Sequence, residues 1–166
     1  MSDTLLHGMA VPAAGGRAIG NQGQWIIKLS SLESGGRVSV IDAVIPPGLM
    51  IPPHAQDNFD DVTRVIEGNM VMEIGGQIFN ASEGTIVFRP RRVLHAAWNP
   101  GPGVAHISSV VWPAGIEAHL EELAKLTQAE SFDLARMMEV SASHGVRYDL
   151  EHGAELAARY GMHMPS

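Results

Sequence analysis

The sequence predicts a mainly β protein, one antiparallel barrel or sandwich followed by a helical tail. Three observations carry this. Short runs rich in β-branched residues recur about every ten residues between positions 25 and 112, the rhythm of an all-β sandwich or barrel. Gly, Pro and Asn close most of these runs, at 46–48 (PPG), 67–69 (EGN), 75–76 (GG) and 99–103 (NPGPG). Beyond residue 113 the apolar spacing becomes helical, with Ile116, Leu120, Leu123 and Leu126 three or four apart. A chain of 166 residues is long enough for one domain with a substantial core and short for two. The expected division is an arm over 1–23, a barrel over 24–113 and a helical extension over 114–166.

Residues 1–24 are small, Gly-rich and weakly patterned, a loose arm with room for one edge strand. A strand is expected over 25–29, then a Ser/Gly turn over 30–36 (SSLESGG). The run 37–45 (RVSVIDAVI) is a strand stopped by Pro46-Pro47-Gly48, with Ser39, Ile41, Ala43 and Ile45 on one face. Residues 50–56 contain two prolines and must be extended rather than helical. Further strands are expected over 62–66, 70–74, 77–80, 85–89, 94–99 and 104–112. In the tail, helices are expected from 114, over 132–144 with Ser131 as N-cap and Gly145 at C′, and over 150–160 with Gly161 as the stop.

Charge and composition exclude several functions. A net charge of −7 argues against nucleic acid, because neutralising phosphates needs a basic face. The one small basic cluster, Arg89, Arg91 and Arg92, reads as a site rim. The absence of cysteine removes disulfides, thiolate metal sites and Cys nucleophiles. Residues 1–16 lack the basic and apolar regions of a signal peptide, and no apolar run approaches the ~18 residues of a membrane span. A soluble cytoplasmic protein is expected.

Two stretches hold the residues capable of chemistry. The first, 48–68 (GLMIPPHAQDNFDDVTRVIEG), offers His54, Gln56 and Asp61; the second, 84–99 (GTIVFRPRRVLHAAWN), offers His95. His54 and Gln56 are two apart on an extended segment and share a face, on which period-two counting also places Met50. Asp61 shares its side with Thr63 and Val65, and His95 with Ala97. Ile86 and Phe88, opposite Arg89, are expected to line the interior, with Arg92 beside the site as a clamp for an anion or a solvated rim residue. Two imidazoles, a carboxylate and an amide oxygen can hold a divalent ion such as Fe, Mn, Ni, Co or Zn. They can equally trade protons. Asp57 and Asp60 read as a solvated acidic loop, Trp98 as packing, and His106 as a surface or core histidine. His119 and His144, in the tail, are assigned no chemistry.

These stretches resemble the two motifs of the cupin superfamily. The first motif, G-x5-H-x-H-x(3,4)-E-x6-G, is met by Gly48, His54, Asp61 in the Glu position and Gly68. The second, G-x5-P-x-G-x2-H-x3-N, is met by Gly84, Pro90, His95 and Asn99. The lead-in SGGRVSVIDAVIPPG and the tail are similar to small single-domain cupins described as quercetin-dioxygenase-like. The resemblance implies a cupin-type antiparallel barrel (a double-stranded β-helix or jelly roll) and a homodimer. Three departures stand out. Gln56 replaces a motif histidine, Asp61 is one methylene short of Glu, and Arg92 replaces a glycine. The family's three-His, one-carboxylate centre is thereby reduced to His54, Gln56, Asp61 and His95.

The expected function is a small-molecule enzyme using His54, His95 and Asp61 for acid–base isomerisation, cyclisation, elimination or dehydration of a hydrophobic metabolite, with or without metal assistance and without an organic cofactor. A non-haem metal dioxygenase built on the same three residues is the alternative the resemblance implies. A non-catalytic small-molecule-binding protein is the third.

Overall fold

The computed structural model describes residues 8–20, 24–127 and 133–164. The strands are β1 (Arg17–Ile19), β2 (Trp25–Leu29), β3 (Ser39–Ile45), β4 (Met50–Gln56), β5 (Asp60–Glu67), β6 (Asn69–Ile74), β7 (Gln77–Ser82), β8 (Ile86–Arg89), β9 (His95–Trp98), β10 (Ala105–Trp112) and β11 (Val146–Tyr148). The helices are α1 (Ser31–Ser34), α2 (Ile116–Thr127), α3 (Leu134–Ser143) and α4 (Leu150–Tyr160). Two antiparallel sheets face each other, in the orders β1-β2-β3-β10-β5-β8 and β11-β4-β9-β6-β7. The sheets do not close on one another: β7 and β8 end them as free edges.

The interior follows from strand parity. Ala43 and Ile45 of β3, Val65 of β5, Val87 of β8 and Ala105 and Ile107 of β10 face Met70 and Met72 of β6, Ala81 of β7 and Ala97 of β9. Burial of about 25 cal/mol per Å² of apolar surface there drives closure of the two layers. Asn99 pins one end. Its amide donates to the Ile45 and Gly103 carbonyls at 2.8 Å each, and its oxygen accepts from Gly101 N–H.

Two expected elements differ. The segment 30–36 is not a plain turn: Ser30 caps α1 through a reciprocal capping box with Glu33, and Gly35 ends it at φ 63°. The cap of α3 is Asp133, whose carboxylate accepts from Arg136 N–H, while Ser131 lies outside the described residues.

Neither flanking segment stands apart from the sheets. β1 pairs with β2, and β11, from the helical tail, pairs with β4. The tail follows β4 along its length. Asp57 N–H donates to the Gly145 carbonyl, Asp149 N–H to the Pro53 carbonyl and Met50 N–H to the His163 carbonyl. Leu156 of α4 then covers Met50, Val71, Ala96 and Trp98 on the outer face of that sheet. Ile116 and Leu120 of α2 pack with Ile27, Ile41, Val111 and Val146, closing one end of the barrel.

Candidate functional site

The local chemistry of β4 positions His54. Pro52 and Pro53 have no N–H to give, so the ladder to β9 breaks between Ile51 and His54 in a register shift. The Pro52 carbonyl accepts instead from His54 Nδ1–H at 2.8 Å. The same bulge reverses parity. Met50 packs on the outer face against Trp98 and Leu156, not in the pocket where uninterrupted alternation puts it.

His54 and His95 are directly cross-strand, with ring centroids 4.3 Å apart and planes at 63°. His95 Nδ1–H donates to its own i−2 carbonyl, Val93, at 3.0 Å. A carbonyl can only accept, so both neutral rings carry their proton on Nδ1 and leave Nε2 as an acceptor. His95 Nε2 is buried without a hydrogen-bond partner, as is Oε1 of the buried Gln56. Burial pushes the His54 pKa down to about 4, with the charge of Arg89 acting in the same direction. Burial, His54 and Arg89 together hold His95 well below its ordinary value. Both rings are therefore neutral bases across the physiological range.

Asp61 is buried and committed. Its Oδ1 accepts from Arg89 Nε at 2.7 Å and, more loosely, from the Thr63 hydroxyl at 3.4 Å. Arg89 Nη2 donates to Thr63 Oγ1 at 2.7 Å, and Thr63 Oγ1 lies 2.7 Å from Ser109 Oγ. Asp61 and Arg89 are directly opposed on β5 and β8. Burial raises the Asp61 pKa and Arg89 opposes it. The guanidinium keeps its proton in proteins, so the carboxylate beside it stays ionised at neutral pH.

Arg89 therefore lies inside the barrel, not at its rim. Conversely Ile86 and Phe88, expected inside, are 65% and 52% exposed on the outer face. Alternation in IVFR allows either pair to face in, and apolar content favours Ile86 and Phe88. The decisive signal is the buried acid directly across β5, which only an inward Arg89 can satisfy.

The remaining candidates divide cleanly. Val65 and Ala97 belong to the interior apolar cluster, and Thr63 to the Arg89 cradle. Arg92 is exposed at φ 65°, a left-handed conformation that suits the glycine it replaces. Its backbone N–H donates to the Gln56 carbonyl, while its side chain lies out in solvent. Asp60 is outside Asp61's pocket and pairs with Arg91. His106 faces outward, 3.6 Å from Asp42.

One residue that sequence reasoning passed over joins the site. Tyr148 of β11 is directly opposite His54, with ring centroids 5.5 Å apart, and burial pushes its pKa to about 12, so its hydroxyl stays protonated. Away from that pair, His119 of α2 is buried, 3.1 Å from Ser141 Oγ of α3, and burial pushes its pKa to about 3. Nothing in the spacing of Val146–Tyr148 marks a strand, because three residues are too short to show a period of two.

The donor set does not fit the four-ligand centre that the motifs imply. The carboxylate is bound by a guanidinium, an amide replaces one imidazole, and among the described residues no three His, Asp or Glu are grouped to hold a metal ion. Two surface pockets lie elsewhere, one of about 290 Å³ at the β7–β8 seam and one of about 360 Å³ beside Glu83 and Gly84. Neither is lined by His54 or His95.

Residues 42–112 match the family model of the cupin domain, and the two facing antiparallel sheets fit a cupin-type fold. Among solved structures the chain is similar to a predicted oxalate decarboxylase from Thermotoga maritima, with 17% identity, a TM-score of 0.51 and coverage of 52% of this chain and 76% of that one. It is also similar to an uncharacterized conserved protein with a double-stranded β-helix domain from Klebsiella pneumoniae, with 24% identity, a TM-score of 0.49 and coverage of 63% and 84%. TT1209 from Thermus thermophilus gives 22% identity, a TM-score of 0.49 and coverage of 54% and 81%. At these identities the likeness is one of fold alone. No curated protein matches the sequence. Among the described residues no helix is long and apolar enough to cross a membrane.

Proposed function

We propose that this protein is a small-molecule enzyme of the lyase or isomerase type, in which His54 and His95 accept and return a proton of a bound substrate. The observation that carries this reading is the buried pair of neutral imidazoles, each fixed by its Nδ1–H, with His95 Nε2 lacking any partner. An unmet buried acceptor costs about 1–3 kcal/mol, which a ligand O–H or N–H donor would recover. Gln56 Oε1 offers a second unmet acceptor on the same side of β4. Tyr148, held protonated, would supply the complementary donor. The apolar interior of Met70, Met72, Ala97 and Ile107 suits a hydrophobic metabolite better than a sugar. In this reading Asp61 does not touch substrate but holds Arg89, whose charge helps to keep both imidazoles in the base form.

The test is a thermal-shift screen of uncharged O–H and N–H metabolites against wild type, His54→Ala and His95→Gln, followed by turnover assays on the hits. Hits that need both histidines and are converted support the reading. Hits that bind both variants as well as wild type would place the ligand elsewhere. Binding that needs the histidines without conversion would make the protein a small-molecule binder.

The same reading includes a homodimer. Ile86 and Phe88 of β8 and Ile78 and Phe79 of β7 are exposed apolar side chains on the two free sheet edges, the kind of surface that a second copy covers.

A further inference from the structure

We propose that Arg92 is the receptor for a carboxylate, so that the ligand is an acid held by its anionic end at the lip of the barrel and by its O–H or N–H end at the histidine pair. The donor end of this ligand rests on the reading above; the anionic end does not. Three segments meet at the lip. Arg92 N–H donates to the Gln56 carbonyl at 2.8 Å, and β11 pairs with β4 over His54, Ala55 and Gln56. Across 54–61, 89–95 and 145–148 the charged residues other than histidine are four arginines and three aspartates. Each aspartate is taken: Asp61 by Arg89, Asp60 by Arg91 and Asp57 by Arg147. Asp149, next along the chain, caps α4 by accepting from His152 N–H. Arg92 is the cation left over: it is exposed and, among the described residues, has no ion-pair partner.

Charge and backbone point the same way. In a chain of net charge −7, the lip carries one uncompensated positive charge. One such charge matches a monoanion, and a planar guanidinium takes a carboxylate through two parallel N–H···O bonds. Arg92 is also the one non-glycine residue at positive φ among the described residues, at 65°. It sits in the turn 90–93, where Val93 N–H reaches back to the Pro90 carbonyl at 3.4 Å and a glycine would meet no strain. The side chain is exposed, so packing does not offset that strain, and what it adds at this position is its charge. Gln56, to which Arg92 is tied, lies two residues from His54 along β4, roughly 7 Å. That is the span of a short-chain hydroxy acid.

The test is calorimetric titration at neutral pH with lactate, γ-hydroxybutyrate and ε-hydroxycaproate, each beside its amide. Wild type, Arg92→Gly, Arg92→Lys and His95→Gln are compared. Wild type is expected to bind at least one acid on the order of tenfold or more tighter than its amide, and to lose that difference in high salt. Arg92→Gly should bind acid and amide alike while melting no lower than wild type, and Arg92→Lys should keep part of the preference. An acid that binds no tighter than its amide, or as tightly to Arg92→Gly as to wild type, would overturn the proposal, as would no binding of any acid. If Arg92→Gly melts lower than wild type, the salt series on wild type decides: an acid affinity indifferent to salt overturns the proposal, and one that falls supports it. Acid binding lost in Arg92→Gly and kept in His95→Gln supports the receptor and removes the histidine reading. Binding lost in His95→Gln and kept in Arg92→Gly does the reverse.

Discussion

Arg89 and Asp61 are a desolvated ion pair, and such pairs behave asymmetrically under mutation. Removing either partner leaves an uncompensated charge in the interior, at a cost of about 3–5 kcal/mol. Replacing both with apolar side chains removes the desolvation penalty along with the attraction and is often nearly neutral. Urea denaturation should therefore show Asp61→Ala losing several kcal/mol, while Asp61→Leu/Arg89→Met recovers most of the loss. The histidines act through pH. His54 and His119 have folded-state pKa values of about 4 and about 3, and His95 is also depressed, all below the unfolded value of 6.5. Between pH 6.5 and 5 the unfolded chain takes up protons that the folded chain refuses. Stability from the neutral rings is thus full above pH 6.5 and is lost as pH falls toward the folded values, by about 1.4 kcal/mol per pH unit for each proton. Denaturation curves across this window should show a slope exceeding one proton, reduced by about one in His54→Gln. His152, raised by Glu73, opposes this only above pH 6.5. For catalysis the sign is the same: the base form persists until pH approaches 4, so the acid limb of the rate profile should fall below pH 5 and not near 6.5.

At the scale of elements, the tail is part of the fold. α4 seats Leu156 against Trp98, Met50 and Val71, all nearly inaccessible to solvent. Leu156→Ala should cost about 2–5 kcal/mol and shift Trp fluorescence to the red as Trp98 is uncovered. Most strands were legible because β-branched runs end in Gly and Pro, and α4 because Gly161 stops it. His54, Asp61 and His95 were legible as candidates through their motif spacing. Three features were not. The Pro52–Pro53 bulge moved Met50 to the outer face, since simple alternation assumes an unbroken ladder. β11 was hidden between Gly145, at φ 73°, and the Asp149 cap, and only its partner β4 makes it a strand. Arg89 was misplaced because a buried arginine is legible only with its acid, and that pairing is a matter of cross-strand register, not of local sequence.

For the whole molecule, the two sheets bring His54 and His95 together on one wall and Asp61 and Arg89 on the other, with Tyr148 and the α2–α3 cap contributed by the tail. The free edges β7 and β8 and their exposed Phe79, Ile86 and Phe88 are the surface on which a second copy would dock. Light scattering after size exclusion should report a dimer for wild type and a monomer for Ile86→Asp/Phe88→Asp, with the histidine site unaltered. A wild-type monomer at micromolar concentration would contradict the dimer. The central claim, a pair of neutral imidazoles presenting Nε2 to the interior, is tested most directly by ¹⁵N-resolved NMR titration of the histidine rings from pH 8 to pH 4.5. His54 and His95 should remain neutral Nδ1–H tautomers down to at least pH 5. Titration of either ring near pH 6.5, or an Nε2–H tautomer at neutral pH, would contradict it.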